Sequence, residues 1–230
     1  MKLSIIIPVY NEENYIEQVI SEVRNALPDL NLKKEIIIVD DCSNDKTGKI
    51  LNRFKNVRDF KIISLPDNKG KGYAIRKGFQ RATGDIILIQ DADLEYSVRD
   101  YPALLKPLLE NKADIVYGSR FKGKIEDMKW QNFLANKILT LMTNILYGLN
   151  ITDLLTAYKL FRREKIKSIK FKSKRFEFCP EITAKLAKRG FKIVEVPISY
   201  KARDFKSGKK IKYRDGIICF WTLIKYRFAK

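Results

Sequence analysis

The sequence predicts an α/β fold built on a mostly parallel central sheet flanked by helices, and three observations predict it. Aliphatic runs alternate with amphipathic segments from Met1 to Arg120, as in chains of strand–helix units. The runs are unbroken rather than alternating, as strands buried on both faces require. Most end in acidic, glycine or other polar residues, and ligands of such sheets bind beyond the carboxyl ends of the strands.

Leu3-Ser-Ile-Ile-Ile-Pro-Val-Tyr reads as the first strand. Asn11-Glu12-Glu13 opens a helix to about Leu27, with Ile16, Val19, Ile20 and Val23 on one face. Glu35-Ile-Ile-Ile-Val-Asp-Asp is a second strand ending in Asp40 and Asp41, followed by a turn and a helix to about Phe54. Lys61-Ile-Ile-Ser-Leu is a third strand, Asn68-Lys-Gly-Lys-Gly72 a loop, and Tyr73 to Ala82 a helix. Ile86 to Ile89 is the fourth strand, Tyr101 to Asn111 a helix and Ala113 to Arg120 the fifth strand.

Trp130 to Leu149 reads as a helix with a wide apolar face: Phe133, Leu134, Ile138, Leu141, Met142, Ile145 and Leu149. That face is expected in the core, with a membrane surface as the alternative. Thr156–Phe161 and Ile193–Tyr200 read as strands, with a helix from Ile182 to Arg189 between them, stopped by Gly190. Asp204 to Tyr213 is a charged loop, and Asp215 to Phe228 a C-terminal amphipathic helix with aromatics beside Lys225 and Arg227. That helix suits an anionic membrane interface as well as it suits docking on the domain.

Composition removes several classes of chemistry. There is no histidine among the 230 residues, so His general bases, Ser–His–Asp triads and His-ligated zinc are excluded. Three cysteines in no metal spacing argue for a reducing compartment. No signal peptide and no apolar run of transmembrane length is evident, so the expected location is cytoplasmic. The net charge of +19 is concentrated: residues 159–230 hold 23 Lys and Arg against 6 Asp and Glu. This basic third could meet nucleic acid, an anionic membrane or a polyphosphate substrate, and no nucleic-acid-binding signature accompanies it.

Three acids close the fourth strand at alternate positions, Asp91, Asp93 and Glu95. An extended backbone would point all three one way, and their repulsion calls for a positive partner. Hard oxygen ligands suit Mg²⁺ or Mn²⁺ bound together with substrate phosphates. Tyr96 stands where an EF-hand needs glycine. Lys71 and Gly72, in a loop that is neither a dinucleotide nor a Walker motif, offer charge and close backbone approach to a phosphate.

Ile7-Pro-Val-Tyr-Asn-Glu12, Val39-Asp-Asp-Cys-Ser43, Asn68-Lys-Gly-Lys-Gly72, Asp91-Ala-Asp-Leu-Glu95 and Gly118-Ser-Arg120 together resemble the inverting family-2 glycosyltransferases of the GT-A fold. Within that family they resemble most the dolichol-phosphate and polyprenyl-phosphate mannosyltransferases. Asn150-Ile-Thr-Asp153, Glu195-Val-Pro-Ile-Ser-Tyr200 and the Gly208-Lys-Lys210 loop extend the resemblance past residue 200. It implies one catalytic domain over 1–230: a nucleotide-sugar half (1–120), an acceptor half with the basic loop (121–213) and the amphipathic helix (214–230). Pro8, Tyr10, Glu12, Val39 and Asp41 would hold the donor base and ribose, with Lys71 and Gly72 also at the donor. Asp91, Ala92 and Asp93 would form the Asp-x-Asp motif at the diphosphate, with Glu95, where mannosyl-transferring members commonly carry Gln, as a third metal ligand. Arg120 would contact phosphate, Arg203 and Lys210 would close over it, and Asp153 would stand near the acceptor as a base. The implied reaction is inverting hexose transfer from GDP-mannose, or alternatively UDP-glucose or another UDP-sugar, to a polyprenyl or dolichyl monophosphate. Its product would be a lipid-phosphate sugar donor for glycan or glycoprotein synthesis. The protein would sit peripherally on the cytoplasmic face of a membrane, by itself or through a membrane-anchoring partner.

Overall fold

Strands buried on both faces need cover on both sides, and the amphipathic helices between them supply it. The computed structural model describes residues 1–27, 32–203 and 213–229. Seven strands, β1 (Lys2–Val9), β2 (Lys33–Asp40), β3 (Phe60–Ser64), β4 (Ile86–Ile89), β5 (Ile115–Glu126), β6 (Lys159–Arg162) and β7 (Ile193–Lys201), form one sheet in the order β3-β2-β1-β4-β6-β5-β7. The helices are α1 (Ile16–Asn25), α2 (Thr47–Asn52), α3 (Lys71–Arg81), α4 (Tyr101–Leu109), α5 (Trp130–Tyr147), α6 (Arg163–Ile166), α7 (Phe178–Ala187) and α8 (Tyr213–Phe228).

Successive β1 residues serve opposite layers, as the two-residue strand period dictates. Leu3, Ile5 and Ile7 join the core under α1 and α4, and Ile6 joins the core under α3 and α7. Each fully buried aliphatic side chain contributes about 1.5–3 kcal/mol, so these runs set which chain segments form the sheet. Gly78 lets α3 lie directly on β1, because a Cβ there would collide with Ile6.

All strand pairs are parallel except those of β6, which runs antiparallel to β4 and β5. After β5 the chain is already at the carboxyl end of the sheet, and β6 starts there, Leu160 pairing with Leu88. It can only run back. Four expectations change. α1 starts at Ile16 rather than Asn11, after a turn through residues 13–15. β5 continues to Glu126, because pairing with β7 resumes at Lys124↔Ser199 beyond an irregularity. The strand expected over Thr156–Phe161 is confined to Lys159–Arg162. The wide apolar face of α5 is not core: Phe133, Leu134, Ile138, Leu141 and Ile145 are exposed.

At the opposite end from the carboxyl edge of the sheet, Glu35 is a buried anchor. Its carboxylate accepts from Ser4 Oγ (2.5 Å), Lys2 Nζ (2.9 Å), Lys61 Nζ (2.8 Å) and the Thr83 and Gly84 amides. Burial opposes its ionisation, but the hydrogen bonds from Lys2, Lys61, Ser4 and Thr83 outweigh that and hold its pKa well below the usual carboxylate range. Stability contributed by a depressed carboxylate is fully present above the unfolded value, about 4.3, and is lost as pH falls through the folded value. Glu35→Ala should therefore cost about 2–3 kcal/mol at pH 7, and the gap to wild type should narrow on acidification below about pH 4. Urea unfolding at a series of pH values measures both.

Candidate active site

Acidic residues collect at the carboxyl edge of the sheet because the neighbouring strands β1 and β4 both end there. β1 leads to Glu12, β4 to Asp91, Asp93 and Glu95, and β7 delivers Arg203 from the far side. The backbone after β4 is not extended: Leu94 is left-handed (φ 59°), and Asp93 Oδ1 accepts the Glu95 amide at 3.2 Å. The three acids are gathered by this turn and by cations rather than by strand alternation.

Lys71, the first residue of α3, reaches Asp91 at 2.6 Å. Arg203 lies among the others: Nη1 to Glu12 at 2.9 Å, Nη2 to Asp93 at 3.2 Å and Nε to Glu95 at 3.9 Å. Glu95 is further held by the Tyr200 hydroxyl (2.8 Å) and the Arg203 amide (2.9 Å). Among the described residues, four carboxylates thus face Lys71 and Arg203. Burial first, then Asp91 and Glu95, push Asp93 up to about 7. Burial opposes the charge on Lys71 and Arg203, and the carboxylates beside them overcome it and raise both.

Arg203 fills the space between the acids, and among the described residues no three acidic or thiol groups stand ready as a cage. The donor set nonetheless fits a hard divalent ion in chemistry: all the groups are carboxylates, the oxygen ligands that Mg²⁺ and Mn²⁺ take.

The glycine loop is organised by Asp41. Its carboxylate accepts the amides of Lys69 (2.8 Å) and Gly70 (2.6 Å), which fixes the start of α3 and so the position of Lys71. Burial raises the Asp41 pKa against those two hydrogen bonds. The glycines are required by neighbouring backbone rather than left open to a ligand. Gly70 (φ +95°) would place a Cβ 2.6 Å from the Lys174 carbonyl oxygen, and Gly72 2.7 Å from that of Arg175. Pro8 and Val39 pair in register and are both buried, so they offer backbone, not side chains, to a ligand. Ala92 is also buried, and Tyr10 is half-buried at the end of β1.

Beside the cluster, Arg120 and Asp153 form a buried ion pair. Arg120 donates its amide (3.1 Å) and Nε (2.7 Å) to Asp153 Oδ2, and Nη2 to Oδ1 (2.8 Å). The guanidinium stacks on Tyr200, 5.0 Å from its centroid. Burial disfavours both charges, yet each partner more than compensates the other: Asp153 is held low and Arg120 high. Asn136 on α5 donates to Asp153 at 3.1 Å. Both Asp153 oxygens are thus engaged, as a counter-ion is rather than a free base.

The sequence-predicted residues Glu12, Lys71, Asp91, Asp93, Glu95 and Arg203 come together in one network, with Arg120 and Asp153 adjoining through Tyr200. Lys210 lies outside the described residues. Sequence reasoning assigned no role to Glu195 and Asn136. Glu195 accepts the Thr152 amide (2.8 Å) and the Asp153 amide (3.0 Å) and pairs with Lys122. A lone acid among the apolar residues Ile193, Val194, Val196 and Ile198 of a strand was the available signal. For Asn136 it was the polar spacing Asn136, Thr140, Thr143 inside an apolar helix.

A family model described as Glycosyl transferase family 2 matches residues 4–170. The hexosyltransferase Agl6 of low-salt glycan biosynthesis in Haloferax volcanii is 32% identical over 227 residues, 97% of this chain and 52% of that protein. Dolichol-phosphate mannosyltransferase of Pyrococcus furiosus is 32% identical over 88% of this chain and 57% of its own length. Dolichyl-phosphate beta-glucosyltransferase ALG5A of Trichomonas vaginalis is 34% identical over 97% of this chain and 72% of its own. The chain thus spans about half the length of the first two. Among solved structures, glucosyl-3-phosphoglycerate synthase of Mycobacterium tuberculosis with Mn²⁺, UDP and phosphoglyceric acid superposes with a TM-score of 0.73 at 19% identity, covering all of this chain and 79% of that one. At that identity the likeness is one of fold.

Removing one member of a buried ion pair strands the other charge. Asp153→Ala should cost about 3–5 kcal/mol, whereas the paired replacement Arg120→Met with Asp153→Leu should recover most of it. Chemical denaturation of the two variants measures the difference.

Proposed function

The chain belongs to glycosyl transferase family 2, and we propose that it transfers a hexose, mannose from GDP-mannose, to a polyprenyl or dolichyl monophosphate with inversion at the anomeric carbon. The observation that carries this reading is the carboxylate cluster of Glu12, Asp91, Asp93 and Glu95, gathered around Lys71 and Arg203 and bordered by the Arg120–Asp153 pair. Relatives named for dolichol-phosphate mannosyl and glucosyl transfer support the lipid-phosphate acceptor.

Asp91 and Asp93, with Glu95, would hold Mg²⁺ or Mn²⁺. Such an ion neutralises charge that builds on the departing nucleoside diphosphate. Lys71 and Arg203 already sit at this cluster, so a diphosphate entering it meets cations that can exchange a carboxylate partner for a phosphate one. Asp41 keeps Lys71 in place through the glycine loop. Arg120 is kept charged and fixed by Asp153, which acts as a positioning residue, and it orients the acceptor phosphate. That phosphate is anionic at pH 7, so attack needs no strong base, in keeping with a chain that lacks histidine.

A second reading, UDP-glucose as donor, is favoured by the glucosyltransferase relative, which the chain covers over 72% of its length. Incubation with a short polyprenyl phosphate and radiolabelled GDP-mannose or UDP-glucose, with Mn²⁺ or with EDTA, separates the two. Transfer from GDP-mannose alone, abolished by EDTA, is expected; transfer from UDP-glucose alone establishes the second reading, and transfer from neither sinks both. Asp93→Ala should lower transfer at least about a hundredfold.

Metal binding should also depend on pH. Below about 7 Asp93 is protonated, and the proton competes with the ion. Mn²⁺ affinity should therefore rise with pH and level off above about 7, read by calorimetry in the absence of donor.

A further inference from the structure

Helix α5 is built inside out. Its buried side is Asn136, Leu139, Thr140 and Thr143, and its polar members bond inward. Asn136 holds Asp153, Thr140 accepts the Leu154 amide at 3.0 Å, and Asn144 exchanges two hydrogen bonds with Ile151. Its outer side carries Leu134, Ile138, Leu141 and Ile145, at helical spacing and between 47% and 73% exposed. α8 packs beside it, Leu139 meeting Cys219 and Leu223, with the Tyr147 hydroxyl on the Leu223 carbonyl (2.6 Å). It exposes Ile217, Trp221 and Phe228 at 52%, 61% and 79%. Among the described residues, eleven of the twelve exposed large apolar side chains lie on these two helices. Water-facing surfaces do not concentrate apolar groups this way without an interaction to serve.

The charges say what covers the patch. Across α5 and α8 the only acid is Asp215, which is buried and paired with Arg175 at 3.8 Å. The remaining charges, Lys137, Arg214, Lys225 and Arg227, are all positive. A second copy, with the same basic rim on a chain of net +19, would be repelled. An anionic lipid leaflet would be attracted, and aromatics among Lys and Arg are the side chains that settle at a headgroup layer. Among the described residues no helix is long and apolar enough to cross a bilayer, so the pair lies on the membrane.

We propose that α5 and α8 form a membrane-docking face whose apolar rows enter the headgroup region of an anionic leaflet. This deepens the reading above, on which it rests for the nature of the acceptor. The inner side of α5 touches Asp153, so docking would bring the Arg120–Asp153 pair to within about one helix diameter, ~10 Å, of the lipid. Phe121, next to Arg120, packs on Phe133 of α5 with centroids 5.2 Å apart and lies under Lys137 at 4.2 Å.

Flotation of the full chain tests this, using vesicles of phosphatidylcholine alone or mixed with phosphatidylglycerol and containing no polyprenyl phosphate. Binding to the mixed vesicles is expected, weakened in about 1 M salt, where the Debye length is ~3 Å. The triple variant L141E/I145E/W221E changes only exposed positions. It should keep its far-ultraviolet circular dichroism and its transfer to a short, water-soluble prenyl phosphate while partitioning at least about tenfold less. Equal binding of the variant, or no binding by wild type, overturns the proposal, and a concentration-dependent dimer that the variant abolishes would identify a second copy as the occupant. Vesicle binding without transfer to the soluble acceptor would leave the docking face standing and remove the function assigned above.

Discussion

Carboxylates crowded at the end of a sheet cannot be left to repel one another, and the way this chain neutralises them organises the molecule. Glu12 follows β1, Asp93 and Glu95 follow β4, and Arg203, just after β7, enters among all three. That contact ties the middle of the sheet to its last strand. Glu95 reinforces it by accepting from the Tyr200 hydroxyl and the Arg203 amide. The aromatic layer of Tyr96, Tyr158 and Tyr200 closes beneath, with ring centroids 4.8 and 5.2 Å from Tyr96 to the other two. The fold and the charge pattern are therefore one problem: β7 reaches this edge, and its arginine is what the acids require.

The two kinds of ion pair at this edge differ in what they can do. Arg120 and Asp153 are almost fully buried and joined by three hydrogen bonds. Separating them would leave two desolvated charges, so they act as a fixed unit. The Lys71–Asp91 contact retains more solvent access, and water or an anion can replace its carboxylate at smaller cost than at the buried pair.

Much of this was legible in the sequence. β1, β2 and β4 carry runs of three or four Ile, Val or Leu that could be little else; Asp91, Asp93 and Arg120 stood out as polar groups at strand ends, and Asp153, after the helix of residues 130–149, was named by the family resemblance. The direction of β6 was not legible, because a four-residue strand carries no sign of which way it runs; the position of the chain after β5 decides that. Neither was the pairing of Arg120 with Asp153, separated by 33 residues, since charge alone names no partner. The glycines at 70 and 72 were read as room for a ligand, and the backbone at 174 and 175 takes that room.

The reading of α5 failed for a more instructive reason. The apolar face was expected in the core in preference to a membrane surface. The structure buries the polar stripe instead, because Asp153 and the loop from Ile151 to Leu154 need the donors and acceptors of Asn136, Thr140 and Asn144. An unsatisfied buried carboxylate or amide costs more than an exposed Leu or Ile does, so the polar side wins the interior. The apolar side is then left outward by geometry, since one helix cannot turn both faces to the same place. Holding the site from behind and exposing an apolar row in front are two consequences of one amphipathic pattern. The helix that positions Asp153 is for that reason also the one whose outer surface is poorly matched to water.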